Sequence, residues 1–168
     1  PLRLLTIQQA QRAAKFLAEA ERIRVKEKMP GEPFSIGFWV GGNNTPNRLN
    51  DQELTGSVPF AEAETKTEAQ LLESDTYKLA VEKWVKLPQC PFCKDGPVGI
   101  RRFRNLGGQA GYVCESGQCW WNRNNPGLPL PFYLVDDDIY ALSPSVLLGT
   151  VDKLALIGQH FNTIRRVL

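Results

Sequence analysis

The hydrophobic and polar positions of the first forty residues predict a strand, a helix and a second strand. Residues 2–5 are mostly apolar and predict a short buried strand, after which Thr6 is suited to cap the N-terminus of a helix. Nothing breaks this helix before about Lys28, and residues 34–40 predict the second buried strand. The apolar face of the helix comprises Ile7, Ala10, Ala14, Leu17 and Ala18. Because parallel strands are joined by such crossovers, this order predicts a parallel sheet.

Gly41 and Gly42 end the second predicted strand. Paired glycines let another backbone approach closely, which suits either a nucleic-acid phosphate or a tight turn, and the turn is the commoner explanation. Residues 43–59 are rich in Asn, Pro, Gly and Thr and predict an irregular loop. The stretch 43–76 carries seven acidic side chains against two basic ones. Because it repels phosphate, we expect it to face solvent or another part of the protein.

The later apolar segments predict one long helix, a hairpin and two further strands. The helix runs from about Lys66 to Val85, and residues 99–104 and 110–113 predict the hairpin, joined by a turn at 105–108. Residues 130–135 and 146–148 predict buried strands, and residues 154–158 predict a last helix. The expected buried side of the long helix comprises Leu71, Leu72, Leu79, Ala80 and Trp84. The predicted fold class is therefore α/β, with a parallel sheet and flanking helices.

Three consecutive acids, Asp136 to Asp138, follow the strand predicted at 130–135. ATPases hold Mg²⁺ beside an acid at a strand end, which makes a metal carboxylate one interpretation. The chain contains no Gly-x-x-x-x-Gly-Lys-Ser/Thr phosphate loop, however, and negative charge also suits the first turn of a helix. We therefore interpret these acids as a helix start.

All four cysteines of the chain lie within thirty residues, as two close pairs. Cys90 and Cys93 form a Cys-x-x-Cys motif, and Cys114 and Cys119 follow after a span long enough for a hairpin. Such spacing is typical of a tetrahedral zinc site in a zinc ribbon. Two disulfides or unpaired buried thiols are the alternatives, but no leader sequence supports an oxidising compartment. Four thiolates fill the tetrahedron, so we expect the zinc to be structural rather than catalytic.

Composition is that of a soluble globular protein, with 42% hydrophobic and 23% charged residues. The formal net charge is only +2, so nucleic-acid contacts must come from local patches. No apolar run approaches the roughly 20 residues needed to span a bilayer. We expect a cytoplasmic protein without a membrane partner.

The predicted ribbon contains such a patch, since residues 98–125 have a net charge of +3. Arg101, Arg102 and Arg104 lie in or beside its first strand, with Trp120 and Trp121 further along. Arginines beside exposed aromatics can grip a single strand of nucleic acid by charge and stacking. The alternative, which we favour slightly, is that the aromatics pack over the small metal module and the arginines are its solvated face.

The order of three strand-end junctions, at residues 5–9, 40–42 and 148–153, resembles the first RecA-like lobe of superfamily 2 helicases. In that lobe motif Ia, a glycine pair and motif Ib follow one another along the tracked strand. The segments are similar to those of the large helicases of the DISARM phage-defence type. Those helicases have similar Leu-Leu-Thr-x-Gln-Gln, Trp-Val-Gly-Gly and Gly-Thr-Val-Asp-Lys segments, with cysteine pairs between them.

This resemblance implies which residues contact nucleic acid. The residues that match are Thr6, Gln8 and Gln9 for motif Ia, Gly41 and Gly42 for the glycine pair, and Thr150, Asp152 and Lys153 for motif Ib. Lys153 supplies charge, and Asp152 orients the turn. Backbone amides and helix N-termini at one edge of a parallel sheet suit such a role, because they bind phosphates without reading bases.

The resemblance also implies that ATP and Mg²⁺ belong to a longer parent protein. Such helicases have a phosphate loop before motif Ia, an acidic metal motif after motif Ib and a second lobe. With apolar residues at both ends, we expect this chain to be a fragment that does not hydrolyse ATP by itself. Its expected parts are residues 1–86 and 126–168 of the lobe, with the ribbon at 87–125. DNA and the remaining lobes are the expected partners; the alternative is a protein-interaction module that docks another subunit.

Overall fold

The computed structural model describes residues 2–40, 68–87, 89–93, 96–107, 109–150 and 155. The elements within these ranges are a mixture of helices and short strands, as expected for an α/β protein. In chain order they are α1 (Leu2–Lys26), β1 (Ile36–Trp39), α2 (Glu68–Glu73), α3 (Asp75–Trp84), β2 (Val98–Phe103), β3 (Gln109–Cys114), α4 (Trp120–Asn124), β4 (Phe132–Tyr133), α5 (Asp136–Leu142) and β5 (Val146–Gly149). The predicted loop at 43–59 and the helix at 154–158, except residue 155, lie outside the described residues.

A three-stranded parallel sheet has the order β4-β1-β5. Ile36 of β1 lies opposite Phe132 on one side and Val146 on the other. The prediction of a parallel sheet is confirmed, and β1 is buried along its whole length. β4 is shorter than the predicted strand at 130–135, and β5 is only half-buried rather than buried.

The predicted strand at residues 2–5 is wrong, because α1 already begins at Leu2. Leucine is among the best helix formers, and no glycine or proline separates these residues from the rest of α1. Three apolar residues in a stretch of four are too few to distinguish strand from helix by periodicity. Thr6 therefore lies inside the helix and does not cap it, and β1 finds its parallel neighbours later in the chain.

The end of α1 is fixed by a buried carboxylate. Glu21 is 1% exposed, and both of its oxygens accept hydrogen bonds of 2.8 Å from Arg24. The backbone amide of Phe34 also donates to Glu21, at 3.1 Å, and Arg24 donates to the carbonyl of Gly31. Gly31 has a φ of 116°, a conformation open mainly to glycine. These bonds direct the chain from α1 into β1.

The predicted helix at 66–85 is two helices, because Ser74 interrupts it. The Ser74 hydroxyl accepts from the amide of Tyr77 and caps α3, a role for which serine is preferred. Because α3 starts anew after Ser74, its buried face differs from the one predicted for a single long helix. Leu79, predicted to be buried, is 66% exposed, whereas Tyr77 is 2% exposed; Ala80 and Trp84 are buried as predicted. The side chains of Leu71 and Leu72 lie outside the described residues.

The hairpin is confirmed. β2 and β3 pair antiparallel, with Val98 opposite Cys114 and Phe103 opposite Gln109. The connection is a short 3₁₀ turn followed by Gly107, whose φ of 68° is left-handed. The helix start predicted at the three acids is also confirmed, since α5 begins at Asp136.

The hairpin and the parallel sheet share one hydrophobic core. Phe38 of β1 lies 6.4 Å from the ring of Tyr112 in β3 and 6.2 Å from Phe132 in β4. Phe92, between the first two cysteines, lies 6.2 Å from the same Phe132. The cysteine-bearing segment is thus packed directly on the sheet. Among the described helices, none combines the length and apolarity that a membrane crossing requires.

Candidate metal centre

The four cysteines converge on one point. Their Sγ atoms all lie within 4.8 Å of one another, and the thiols are free rather than joined as disulfides. Cys90 and Cys119 are 3.7 Å apart, and Cys93 and Cys114 are 3.5 Å apart. Four sulfurs that bind one zinc ion at about 2.3 Å in a tetrahedron would lie about 3.8 Å from each other. The arrangement is therefore of the right size for a single metal ion such as zinc.

Backbone hydrogen bonds shape the two loops that carry the sulfurs. The amide of Cys90 donates to the carbonyl of Gly96 at 2.8 Å, and the amide of Cys119 donates to Ser116 at 3.1 Å. The amide of Glu115 donates to Pro97 at 3.0 Å and so joins one loop to the other. Each pair of cysteines is thus held in a tight turn whose sulfurs face inward.

Neighbouring residues support this geometry closely. A Cβ atom at Gly96 would lie 2.4 Å from the Cys114 sulfur and 2.9 Å from that of Cys93, so only glycine fits there. The side-chain amide nitrogen of Asn122 donates to the backbone carbonyls of Cys114, at 2.9 Å, and Ser116, at 3.3 Å. Asn122 therefore braces the second cysteine loop, as outer-shell residues do around metals.

The four thiols lie close together, and the pKa values of Cys90, Cys114 and Cys119 are shifted in different directions. A hydrogen bond from Cys90 lowers the pKa of Cys119 to about 5, and the same bond raises the pKa of Cys90. Burial raises the pKa of Cys114 to about 12. Hydrogen bonding among the thiols and burial therefore favour the thiolate form of Cys119 over those of Cys90 and Cys114. A bound divalent cation would stabilise the other thiolates as well, because metal binding displaces thiol protons.

An aromatic stack connects the cysteine loops to α1. Trp120 stacks on Phe92 with ring centroids 5.7 Å apart and planes 11° from parallel, and the guanidinium of Arg22 lies 5.3 Å from the Trp120 ring. Arg22 also donates to the carbonyl of Phe92. Trp121 is 2% exposed and donates to the carbonyl of Pro129. The expectation of exposed aromatics is therefore wrong for Trp121, and the favoured interpretation is confirmed in that the aromatics pack over the cysteine module. Its second half, that the arginines form a solvated face, is wrong for Arg101, which pairs with Glu115.

A buried polar cluster on the hairpin was missed by the sequence analysis. The Arg101 guanidinium donates to Glu115 at 2.9 Å, and the side chains are 17% and 6% exposed. The Tyr77 hydroxyl donates to Glu115 at 3.1 Å and accepts from the amide of Ile100 at 3.1 Å. These partners come from distant parts of the chain, so no local sequence signal indicates the cluster.

The structure describes the positions of only some of the predicted nucleic-acid contacts. Gln8 and Gln9 are exposed on α1, where they follow Thr6 in the sequence. Thr150 lies where β5 ends, and its amide donates to the carbonyl of Trp39 at 3.2 Å. Because β1 and β5 are parallel and paired as far as Trp39 and Gly149, the second and third predicted junctions begin at one edge of the sheet. Gly41, Gly42, Asp152 and Lys153 lie outside the described residues.

The three hairpin arginines also differ in their surroundings. Arg102 is exposed, whereas Arg101 is held in the ion pair with Glu115. Arg104 begins the 3₁₀ turn, and its side chain lies outside the described residues. Of the two arginines whose side chains are described, Arg102 is the one turned to solvent.

No protein-family model matches the chain. The chain is, however, 32% identical over 161 residues to the DISARM protein DrmA of Bacillus paralicheniformis. The match takes in 92% of this chain, and the chain spans 13% of that protein's length. Over nearly all of its length, the chain is thus related in sequence to a DISARM protein.

Proposed function

We propose that this chain is a nucleic-acid-engaging part of an ATP-dependent superfamily 2 helicase or translocase that acts in DISARM-type phage defence. The observation that carries the proposal is the similarity to DrmA along nearly the whole chain. The parallel sheet supports it, since RecA-like lobes are built on such sheets. ATP and Mg²⁺ would be bound by other parts of a longer protein, and the chain would work in the cytoplasm.

Nucleic acid would be held at the edge where β1 and β5 end. Gly41, Gly42, Thr150 and Lys153 follow these two strands, and phosphates commonly bind at such strand ends through backbone amides and a lysine. Thr6, Gln8 and Gln9 of α1 would add further contacts. On the hairpin, Arg102 is the best candidate because its side chain is exposed, with Arg104 beside it, whereas Arg101 is mostly buried against Glu115.

The four cysteines would hold a structural zinc ion in a zinc ribbon. Cys90, Cys93, Cys114 and Cys119 supply four thiolates, which leave no position open for a substrate or an activated water. The zinc would therefore fix the hairpin and its loops, and would take no part in ATP chemistry.

DNA binding can be tested by fluorescence anisotropy with a labelled single-stranded oligonucleotide over a series of salt concentrations. The Arg102→Ala/Lys153→Ala double variant should bind about tenfold or more weakly, and its salt slope should fall by about 1.4, because each phosphate contact to a single strand contributes about 0.7. A Lys15→Ala/Lys78→Ala variant, which removes two exposed lysines elsewhere, should bind as the wild type does. Unchanged affinity in the first variant would count against the proposed contacts.

A second candidate function is docking of a protein subunit. It is favoured by the outer face of α1, where Phe16 is 77% exposed and Ile23, two turns later, is 57% exposed. Trp121 is buried and Trp120 is partly buried against Phe92, so neither serves as an anchor for the docked subunit. If a Phe16→Ser/Ile23→Ser variant lost a partner protein yet bound DNA normally, the interaction module would be the better description.

A further inference from the structure

Helix α3 is attached to the hairpin through tyrosine hydroxyls at both of its ends. Near its start, Tyr77 donates to Glu115 and accepts from the amide of Ile100. At its end, the Tyr112 hydroxyl of β3 donates to the carbonyl of Trp84 at 2.8 Å. The first attachment therefore combines one acidic side chain with contacts to Ile100 and Arg101, whereas the second uses only the backbone of α3.

Glu115, the acidic side chain in the first attachment, follows the candidate ligand Cys114 directly. Its carboxylate is 6% exposed and bridges Tyr77 and Arg101. A Cβ atom at Gly99 would lie 2.0 Å from a Glu115 oxygen and 2.3 Å from the Tyr77 hydroxyl. The carboxylate thus fills a closely fitted space that small backbone shifts would disrupt.

The position of Glu115 is set by the two cysteine loops. Its amide donates to Pro97 in the first loop, and the carbonyl of Ser116, the next residue, accepts from Cys119 and Asn122. An ion bound by all four sulfurs would tie both loops to one centre. Without that ion, the two loops would still be joined by the Glu115–Pro97 hydrogen bond and the Phe92–Trp120 stack, but their four sulfurs would share no common ligand.

We infer that metal occupancy of the four-cysteine site controls the attachment of the N-terminal half of α3, and that Glu115 transmits the effect. With metal bound, the carboxylate is positioned to receive Tyr77 and Arg101. When the metal is lost, the 114–119 loop relaxes, the carboxylate leaves its space and the start of α3 detaches. This inference rests on the metal site of the proposed function and is independent of nucleic-acid binding.

Hydrogen exchange measured by mass spectrometry tests this coupling. Removal of zinc with a chelator should speed exchange in residues 75–81 by about tenfold or more, while residues 10–18 of α1 change less than about twofold. Glu115→Gln should give the same fast exchange in residues 75–81 while zinc is still bound. Glu82→Gln, which makes the same change at an exposed site on α3, should exchange as the wild type does.

Tyr77→Phe is a second variant, which removes only the hydroxyl, and it should reproduce the effect of Glu115→Gln. Slow exchange of residues 75–81 in the zinc-free chain, or equal acceleration in α1, would overturn the inference, since the metal would then have either no role or a general structural one. Zinc content measured on the same samples keeps the two proposals apart. A chain that binds no zinc refutes the metal site itself, whereas a zinc-loaded chain with an unresponsive α3 refutes only the coupling.

Discussion

The sulfurs of Cys93 and Cys114 lie 3.5 Å apart, although 21 positions separate these residues in the sequence. The hairpin accounts for this approach, because pairing of Val98 with Cys114 returns the chain to the first cysteine loop. Strand pairing thus brings the two cysteine loops together, and a metal ion would hold the sulfurs of both loops at one centre.

Loss of a single cysteine should abolish tight metal binding. We expect Cys93→Ser to weaken zinc affinity by more than about a hundredfold, because loss of a direct ligand should exceed the 10–100-fold effect of outer-shell changes. Competition against a chromophoric chelator measures this affinity. Gln118→Ala, an exposed change in the second cysteine loop, is the control and should leave zinc binding intact. Equal affinities for the two variants would argue against ligation by Cys93.

Asn122 should contribute to metal affinity without touching the metal. Its amide braces the carbonyls of Cys114 and Ser116, so Asn122→Ala should weaken zinc binding by about 10–100-fold. Asn124→Ala is a matched control on the same helix, because Asn124 is exposed and its side chain donates to the carbonyl of Trp120 rather than to a cysteine loop. The prediction fails if both asparagine variants bind zinc equally well.

Gly99 should tolerate no side chain. In Gly99→Ala the new methyl group would overlap the Glu115 carboxylate and the Tyr77 hydroxyl, and we expect the free energy of unfolding to fall by about 2–3 kcal/mol. Urea unfolding monitored by circular dichroism measures this change. Gly117→Ala provides the comparison, since a Cβ there would meet no atom within 4 Å, and it should alter stability by less than about 0.5 kcal/mol.

Asp138 should make stability depend on pH. Burial, together with the charge of Asp137, raises the pKa of Asp138 from 3.8 to about 6. Because the folded-state pKa is the higher one, the protonated acid stabilises the fold below about pH 4, and this contribution is lost as the pH rises through about 6. Relative to Asp138→Asn, the wild type should lose about 1–2 kcal/mol between those values, after allowance for partial exposure.

Thermal unfolding of both proteins across that pH range measures the difference. Subtracting the stability of Asp138→Asn from that of the wild type at each pH cancels any effect of thiol protonation, because both proteins share it. Asp75→Asn, at a side chain that is 96% exposed, should follow the wild-type curve with little offset. Parallel curves for the wild type and Asp138→Asn would contradict the prediction.

Features that depend on local spacing could be predicted from the sequence. The cysteine cluster, the hairpin and the apolar face of α1 follow from residue intervals that only one local geometry satisfies. The start of α1 could not be predicted, because Leu2, Leu4 and Leu5 suit a strand and a helix equally well.

Features that depend on distant partners could not be predicted either. Tyr77 is buried because its hydroxyl meets Glu115, which lies 38 positions later in the sequence. Leu79 was the natural candidate for burial by hydrophobicity alone, yet the helix start at Ser74 turns it outward. Polar clusters of this kind have no periodic signature, so only the three-dimensional structure reveals them.

The strand order β4-β1-β5 also has a consequence for how the chain is made. Strand β1 leaves the ribosome before both of its neighbouring strands, which begin about a hundred residues later, at Phe132 and Val146. The cysteine hairpin lies between β1 and β4 in the sequence and closes over a much shorter span. It can therefore form before β1 pairs with β4 and β5. Capture of a metal ion during synthesis would then give the late strands an ordered surface on which to complete the sheet.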